Sequence, residues 1–358
     1  MADIYIHYGT DGDKMAYELM QRADITSLLR PAMRVVLKPN LVVPSPADNG
    51  ATTHPEIAEG VIRYLRDNGI ADITIAEGAW VGASTKSGFQ GCGYQELADR
   101  WDVKLVDTKR DPVRKVRVRD MDLSLCRTTL DADFLINLPV LKGHCQTDMT
   151  CCLKNLKGCI PDSEKRRFHS MGLHKPIAIL ASALKPHLHI VDSICGDLTF
   201  EEGGNPVQSN RLLLGFDPVL LDSYGAALMG YRPDEIEHLR LAASYGAGRC
   251  CDNNTEIVEL GAGNRPKVSP QGSRAAKRLG EHIREDSACS ACYAALIFAL
   301  NKAGGRRLGG EKINIGQGFQ GKACEGAGVG NCTSGCSRYV PGCPPKAVDI
   351  VEFLQRME

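Results

Sequence analysis

The C-terminal part of the chain contains six cysteines whose spacing suits a metal centre. They are Cys289, Cys292, Cys324, Cys332, Cys336 and Cys343. Cys289 and Cys292 form a C-x-x-C pair before a predicted helix, and Cys332 follows a glycine-rich run. Cys343 stands in the sequence Val-Pro-Gly-Cys-Pro-Pro. A helix N-terminus favours thiolates, glycines let N–H groups approach an anionic cluster, and prolines hold a thiolate in a rigid turn.

These features predict that Cys289, Cys292, Cys332 and Cys343 bind one [4Fe-4S] cluster. A structural zinc site and a set of free thiols are the alternatives. Six cysteines compete for four positions, so two of them are bystanders. Either Cys324 or Cys336 could take the place of Cys332, which is preferred because the glycine run leads directly into it.

A second group of polar residues follows apolar runs in the first 265 residues. Each of four predicted strands ends in one or two of them: Lys38 and Asn40, then Glu77, then Lys142 and His144, and finally Asp192. The carboxyl ends of parallel strands converge on one edge of a sheet, where ligands bind. Core packing explains these residues poorly, so we expect a binding crevice there.

The residue types in this crevice suit a small anionic substrate or cofactor. Lysine ammonium groups bind carboxylate or phosphate, histidine moves protons near neutral pH, and asparagine orients oxygens. We therefore predict catalytic roles for Lys142, His144 and His169. The predicted binding residues are Lys38, Asn40, Glu77, Lys154, Asn155, Lys157 and Asp192. For any one of them, a solvated lysine or a satisfied histidine is an equally good interpretation.

Four further cysteines, Cys145, Cys151, Cys152 and Cys159, raise the alternative of a second metal site beside His144. Sequence neighbours such as Cys151 and Cys152 rarely point at one metal. We therefore interpret these cysteines as small buried hydrophobic residues.

The elements that must position these residues alternate along the chain. Short apolar runs such as DIYIHY, RVVLKP, DFLINLPV and LHIVDS alternate with helical stretches such as PEIAEGVIRYLRDNG. This alternation predicts an α/β fold with a mostly parallel central sheet and flanking helices. We expect an α/β domain over residues 1–265, a linker over 266–280 and a small cysteine-rich iron–sulfur module over 281–358.

Composition narrows the class of protein. The chain has 358 residues, of which 43 are basic and 43 acidic, so no net field favours nucleic acid or an anionic membrane. The N-terminus has no apolar signal region, and the longest apolar stretch, 294–300, is too short to span a bilayer. We expect a soluble, cytoplasmic protein whose 15 cysteines serve metal chemistry or stay reduced.

Several motifs occur in an order that resembles domain of unknown function family 362. They are Lys38-Pro-Asn40-Leu, Thr53-His-Pro55, Ile75-Ala-Glu77-Gly78, Leu138-Pro-Val-Leu-Lys142-Gly-His144, the run from Thr150 to Gly158 with Lys154-Asn155, His169, and Ile190-Val-Asp192. The resemblance covers roughly residues 30–245 and implies the α/β fold. Many members of that family carry a ferredoxin-like iron–sulfur segment, so it also implies the cofactor class.

The cysteines depart from that ferredoxin-like segment because they are spread over residues 289–343. The Val-Pro-Gly-Cys-Pro-Pro ending is similar instead to the cluster ligand of hydrogenase small subunits and of the related quinone oxidoreductase subunit. That similarity implies a ligand role for Cys343.

Three functions are compatible with these residues. The first is an oxidoreductase or electron-transfer protein, in which the cluster exchanges electrons with a molecule in the crevice and with a redox partner protein. The second is a non-redox isomerase or lyase that uses Lys and His acid–base chemistry beside a structural cluster. The third is a binding or maturation factor. No sequence motif reports on a flavin or another organic cofactor.

Overall fold

The computed structural model describes residues 2–266, 275–304 and 311–357. The strands in these ranges are β1 (Ile4–Tyr8), β2 (Arg34–Lys38), β3 (Asp72–Glu77), β4 (Lys104–Asp107), β5 (Val113–Val118), β6 (Met121–Cys126), β7 (Phe134–Asn137), β8 (Lys142–His144), β9 (Asp148–Thr150), β10 (Leu188–Asp197), β11 (Pro206–Gly215), β12 (Ile257–Leu260), β13 (Ile283–Glu285), β14 (Ile313–Ile315), β15 (Cys324–Val329) and β16 (Cys336–Val340).

The helices in the same ranges vary from one turn to more than three turns. They are α1 (Gly12–Arg22), α2 (Pro55–Asp67), α3 (Thr85–Gly91), α4 (Tyr94–Trp101), α5 (Arg127–Leu130), α6 (Cys152–Asn155), α7 (Asp162–Ser170), α8 (His174–Leu184), α9 (Pro218–Leu228), α10 (Glu237–Ser244), α11 (Ala275–Gly280), α12 (Ser290–Lys302) and α13 (Ala347–Gln355). No helix in the described part of the chain is long and apolar enough to cross a membrane.

The central sheet has eight strands in the order β12-β1-β11-β10-β7-β2-β3-β4. Five neighbouring pairs are parallel, and the two pairs that include β11 with β1 and with β10 are antiparallel. This sheet confirms the predicted α/β fold with a mostly parallel centre. The strands β2, β3, β7 and β10 are adjacent and parallel, so their carboxyl ends lie along one edge.

Each face of the central sheet packs against its own apolar cluster. Successive residues of a strand point to opposite faces. Val191 and Leu213 accordingly belong to the cluster that contains residues of α8, α9 and α10. Ile190 and Leu212 belong to the cluster that contains residues of α1, α2 and α4. Two buried faces explain why the central strands read as continuous apolar runs rather than as alternating ones.

The C-terminal part of the chain forms a second sheet of its own. Its four strands are all parallel, in the order β13-β14-β15-β16, and α12 connects the first two. Leu296 of α12, Ile315 of β14 and Ile350 of α13 share an apolar cluster, which Phe200 of the first domain joins. Of the predicted linker 266–280, residues 267–274 lie outside the described ranges and Ala275–Gly280 forms α11.

Candidate functional site

A buried ion pair lies where β2 and β3 end. Lys38 and Glu77 are the last residues of these strands, and both are almost completely buried. Lys38 Nζ donates to Glu77 Oε2 at 2.5 Å and to Asn155 Oδ1 at 2.9 Å. Asn40 Nδ2 donates to the same Asn155 oxygen at 3.0 Å. The structure thus brings together four of the predicted binding residues from three separate segments.

Gly158 provides the space for this ion pair. A Cβ atom at this position would lie 2.0 Å from Glu77 Oε1 and 2.6 Å from Lys38 Nζ. The Gly158 carbonyl accepts a hydrogen bond from Thr108 Oγ1 at 2.6 Å, which fixes the backbone beside the pair. A glycine here is therefore required by close approach.

Asp222 fixes the N-terminus of the short helix α6, which contains Lys154 and Asn155. The Asp222 carboxylate accepts the backbone N–H groups of Cys152 at 2.7 Å and Leu153 at 3.1 Å. The thiols of Cys151 and Cys152 and this carboxylate lie within 4.8 Å of one another, in a fully buried cluster. Because both carboxylate oxygens already accept N–H groups, we interpret the cluster as structural support for α6.

A small pocket of about 60 Å³, partly open to solvent, lies beside α6. Its wall includes three predicted site residues, Lys154, Lys157 and His169, as well as the Lys38–Glu77 pair. Cys289 and Ser290, at the start of α12, line the same pocket. The pocket therefore joins the strand ends of the first domain to the cysteine-rich C-terminal part.

The lysines of the pocket differ in how many of their three N–H donors are used. Lys38 meets three acceptors, namely the Pro39 carbonyl, Glu77 and Asn155. Lys165 also meets three, namely the carbonyls of residues 78 and 79 at 2.9 Å and an oxygen of residue 162 at 3.5 Å.

Two lysines of the pocket keep free donors. Lys157 Nζ contacts only His169 Nε2, at 3.2 Å, among the described residues. The Lys154 ammonium has no hydrogen bond or ion pair to any residue in the described ranges, although Lys154 is only 8% exposed. An unpaired buried ammonium is costly unless a ligand or water satisfies it.

Burial governs the protonation of these groups. It lowers the pKa of Lys154 to about 8, against the opposing charge of Glu201. It also lowers the pKa of Lys157 well below its usual range, and the ammonium of Lys154 adds to this effect. Burial and the charges of both lysines lower the pKa of His169 far enough to keep the ring neutral at pH 7. A neutral His169 can accept a hydrogen bond from Lys157.

Lys142 and His144 do not line this pocket. Lys142 is buried, and its ammonium donates to the carbonyls of Ala51 and Glu201 and to Asn40 Oδ1, so its three donors are used. His144 Nδ1 accepts backbone N–H groups of residues 146 and 147, and its Nε2 lies 3.2 Å from Glu201 Oε1, beside a separate cavity. Both side chains thus connect the β8–β9 hairpin to the segment around Glu201 and stabilise this part of the fold.

Asp192 also lies outside the pocket, where it binds His54. Its Oδ2 accepts the backbone N–H of His54 at 2.9 Å and lies 2.7 Å from His54 Nδ1. Asp192 is completely buried, and this contact fixes the start of α2 against β10. Asp192 lies inside β10, which continues to Asp197, so the prediction that it ends a strand was wrong, and its side chain serves the fold.

We expect the His54–Asp192 pair to make stability depend on pH. Burial lowers the pKa of His54, but the charge and hydrogen bond of Asp192 outweigh it and raise the pKa from 6.5 to about 9. The pair's contribution is therefore complete below pH 6.5 and is lost as the pH rises through about 9. The free energy of unfolding should fall by roughly 2–3 kcal/mol over this range. Urea unfolding of wild type and Asp192→Asn checks this, and equal pH slopes for the two proteins would contradict it.

The four cysteines predicted to bind a cluster lie next to the pocket and near one another. Cys289 precedes α12, and Cys292 is in its first turn. Burial raises the pKa of Cys289, and the thiols of Cys343 and Cys332 raise it further. Burial and the other three thiols raise the pKa of Cys292 to about 12. These mutual effects place the four side chains within electrostatic range of one another.

Backbone contacts of Asn331 bring Cys332 beside Cys343. The Asn331 N–H donates to the Gly342 carbonyl at 2.9 Å, and the Gly342 N–H donates to Asn331 Oδ1 at 2.7 Å. Gly330, which has a φ of +92°, leaves its backbone close to Cys292: a Cβ there would lie 4.0 Å from Cys292 Sγ. The positive φ of Gly330, and not crowding by Cys292, favours glycine at this position.

Cys324 and Cys336 form a disulfide between the adjacent strands β15 and β16, with 4.3 Å between their Cα atoms. In this arrangement neither sulfur is free to bind a metal. The two bystander cysteines of the sequence prediction are thus paired with each other.

The loop after β3 contacts both the pocket and the cysteine group. The sequence patterns did not predict a role for this loop. Its carbonyls at residues 78 and 79 accept from Lys165, and those of Trp80 and Ala83 accept from Lys109. Trp80 lines the pocket, and Gly82 contacts the Cys343 backbone, since a Cβ at Gly82 would lie 2.7 Å from its carbonyl oxygen. Lys165 and Trp80 follow no strand-end pattern, so the rule that found Lys38 and Glu77 could not find them.

Comparisons with known proteins give a family and distant structural likenesses. A thylakoid-associated protein of Synechocystis is 28% identical over 195 residues, which are 53% of this chain. The match spans 59% of the length of that relative.

Two solved structures are distantly similar to this chain. The lactate racemase apoprotein of Thermoanaerobacterium thermosaccharolyticum matches with a TM-score of 0.42 and 11% identity, over 63% of this chain and 57% of its own. A crystal structure of a Thermotoga maritima protein matches with a TM-score of 0.37 and 15% identity, over 51% of each chain. The model of the family described as Domain of unknown function (DUF362) matches residues 35–227, which hold Lys38, Glu77, Lys154 and His169. More than half of the chain is covered, and the protein belongs to the DUF362 family.

Proposed function

We propose that the protein is an iron–sulfur oxidoreductase or electron-transfer protein. In this proposal Cys289, Cys292, Cys332 and Cys343 hold one [4Fe-4S] cluster, and the neighbouring pocket binds a small anionic molecule. One observation carries the proposal: Cys289 belongs to the group of four thiols and also lines the lysine-rich pocket. A redox centre and a binding site would then share a wall.

The donor set suits a cluster better than a single zinc ion. Zinc binds thiolates at about 2.3 Å in a tetrahedron, which brings the sulfur atoms within about 4 Å of one another. No three of these four sulfur atoms lie within 4.8 Å of one another. The thiolates of a [4Fe-4S] cluster each bind a different iron and are spaced more widely.

The protein's own residues have separate tasks around this group. A bound cluster of this class supplies reversible one-electron transfer. Lys154 and Lys157 attract and orient the anion, and the Lys38–Glu77 pair fixes the floor of the pocket. The loop that carries Trp80 also contacts the backbone of Cys343 at Gly82.

A non-redox isomerase or lyase is the second candidate, and one contact favours it. Lys157 Nζ lies 3.2 Å from His169 Nε2 inside the pocket, so an ammonium and a neutral imidazole face the same ligand. Because burial lowers the pKa values of both groups, such a pair can exchange protons with a bound carboxylate compound. In this case activity would not depend on whether the iron is oxidised or reduced.

Iron and sulfide analysis of anaerobically purified wild-type protein tests the first candidate. We expect about four irons and four sulfides per chain and a brown absorption that dithionite bleaches reversibly. Zinc is measured in the same sample as a control for the alternative metal. A colourless protein with one zinc per chain, which stays colourless after reconstitution with iron and sulfide, would exclude the redox proposal.

A further inference from the structure

The unused donors of the pocket point to the chemistry of its ligand. Lys154 offers three N–H groups and Lys157 two, because Lys157 already contacts His169 and Lys154 contacts no described residue by hydrogen bond. The ammonium groups of Lys38 and Lys165 have their acceptors within the protein. A ligand that presents acceptor oxygens at Lys154 and Lys157 would satisfy these donors.

Groups of both signs act on these two lysines. Glu201 opposes the effect of burial on the pKa of both Lys154 and Lys157. No arginine is among the described residues that line the pocket, so its unused basic donors are those of Lys154 and Lys157.

Part of the pocket wall is apolar. Val42, Val81 and Ala291 line it together with Trp80. Ligand pockets commonly pair an apolar wall with a few polar groups that fix orientation. A bare inorganic anion would leave the apolar wall without contacts.

We propose that this pocket binds a small organic monocarboxylate, with its carboxylate at Lys154 and Lys157 and its apolar body against Trp80 and Val42. The inference names the ligand class of the proposed function and rests on it for the role of that ligand in electron transfer. Binding itself depends on residues of the first domain and can be measured separately from the iron content.

Isothermal titration calorimetry of the anaerobically purified full chain tests this inference with benzoate, acetate and inorganic phosphate. Benzoate should bind at least tenfold more tightly than acetate, which lacks the apolar body, and at least tenfold more tightly than phosphate. Lys154→Met should weaken benzoate binding at least tenfold, because it removes the free ammonium and keeps the volume. Lys115→Met, at an exposed lysine of β5, is the matched control and should leave the affinity unchanged.

A second measurement does not depend on Lys154. In Trp101→Phe protein, Trp80 is the one remaining tryptophan, and benzoate should change its fluorescence with the dissociation constant found by calorimetry. Tighter binding of phosphate than of benzoate, an unaltered affinity in Lys154→Met, or no response of Trp80 would overturn the inference.

Iron and sulfide content, measured on the same samples, separates the two proposals. Four irons per chain without carboxylate binding would overturn the inference and leave the iron–sulfur proposal standing. Carboxylate binding by a protein that cannot assemble a cluster would support the inference and end the redox proposal.

Discussion

Cys332→Ser protein purified without oxygen should contain less than about one iron per chain, against about four in the wild type. Serine keeps the size of the side chain but removes the thiolate that holds the iron. The same loss is expected for Cys343→Ser, because the contacts of Asn331 with Gly342 place these two cysteines in one site. Iron and sulfide assays together with visible absorption measure the effect.

Two other substitutions show whether the loss is specific. Cys250→Ser changes a partly buried free thiol of the first domain and should keep the full iron content. Cys324→Ser breaks the disulfide with Cys336 and should also keep the cluster. If Cys324→Ser lost the iron while Cys332→Ser retained it, the assignment of the fourth ligand would be wrong.

Glu77→Gln should destabilise the protein by about 3–5 kcal/mol. The substitution leaves the Lys38 ammonium buried without its counter-charge, since both side chains are nearly inaccessible to water. Breaking a buried pair by removing one partner costs more than the pair contributes, because an uncompensated charge stays behind. Urea unfolding followed by circular dichroism measures the change.

The double variant Lys38→Met/Glu77→Gln separates the loss of the pair from the burial of a lone charge. It removes both charges and should be more stable than Glu77→Gln alone by about 2 kcal/mol or more. Glu96→Gln, at an exposed position of α4, is the control and should change stability by less than about 0.5 kcal/mol. A double variant as unstable as Glu77→Gln would show that the lone Lys38 charge is not the cause.

Much of the fold could be predicted from the sequence, because buried strands have a simple pattern of apolar residues. Strands such as β7 and β10 are buried on both faces, so their apolar runs are continuous and easy to recognise. The antiparallel direction of β11 could not be predicted in this way, because strand direction depends on the connections between strands and not on local composition. The C-terminal sheet was also not predicted, since its strands β13 and β14 have only three residues each.

Only part of the candidate site could be predicted from the sequence, for a related reason. The ends of parallel strands converge by geometry, so Lys38 and Glu77 could be placed together from their positions alone. The strand-end rule does not say which way a side chain turns. The same rule selected Lys142, yet Lys142 begins β8 rather than ending β7, and its ammonium donates to the carbonyls of Ala51 and Glu201. Lys165 reaches the pocket from α7, a contact that only the tertiary structure shows.

The arrangement as a whole places two kinds of chemistry on the two sides of one pocket. The first domain contributes the ammonium groups of Lys154 and Lys157, and the C-terminal part contributes Cys289 and Ser290. The loop with Trp80 and Gly82 touches both sides. In our proposal this proximity lets an anion bound at the lysines exchange electrons with the group held by the cysteines.

The electron paramagnetic resonance spectrum of the dithionite-reduced wild-type protein, before and after addition of benzoate, tests this central claim most directly. The account predicts a signal of about one unpaired electron per chain whose g values shift on addition of benzoate. The shift should disappear in Lys154→Met, while the signal itself remains. A protein that carries one zinc per chain and gives no iron signal, or an iron signal that benzoate leaves unchanged while calorimetry shows it bound, would contradict the claim.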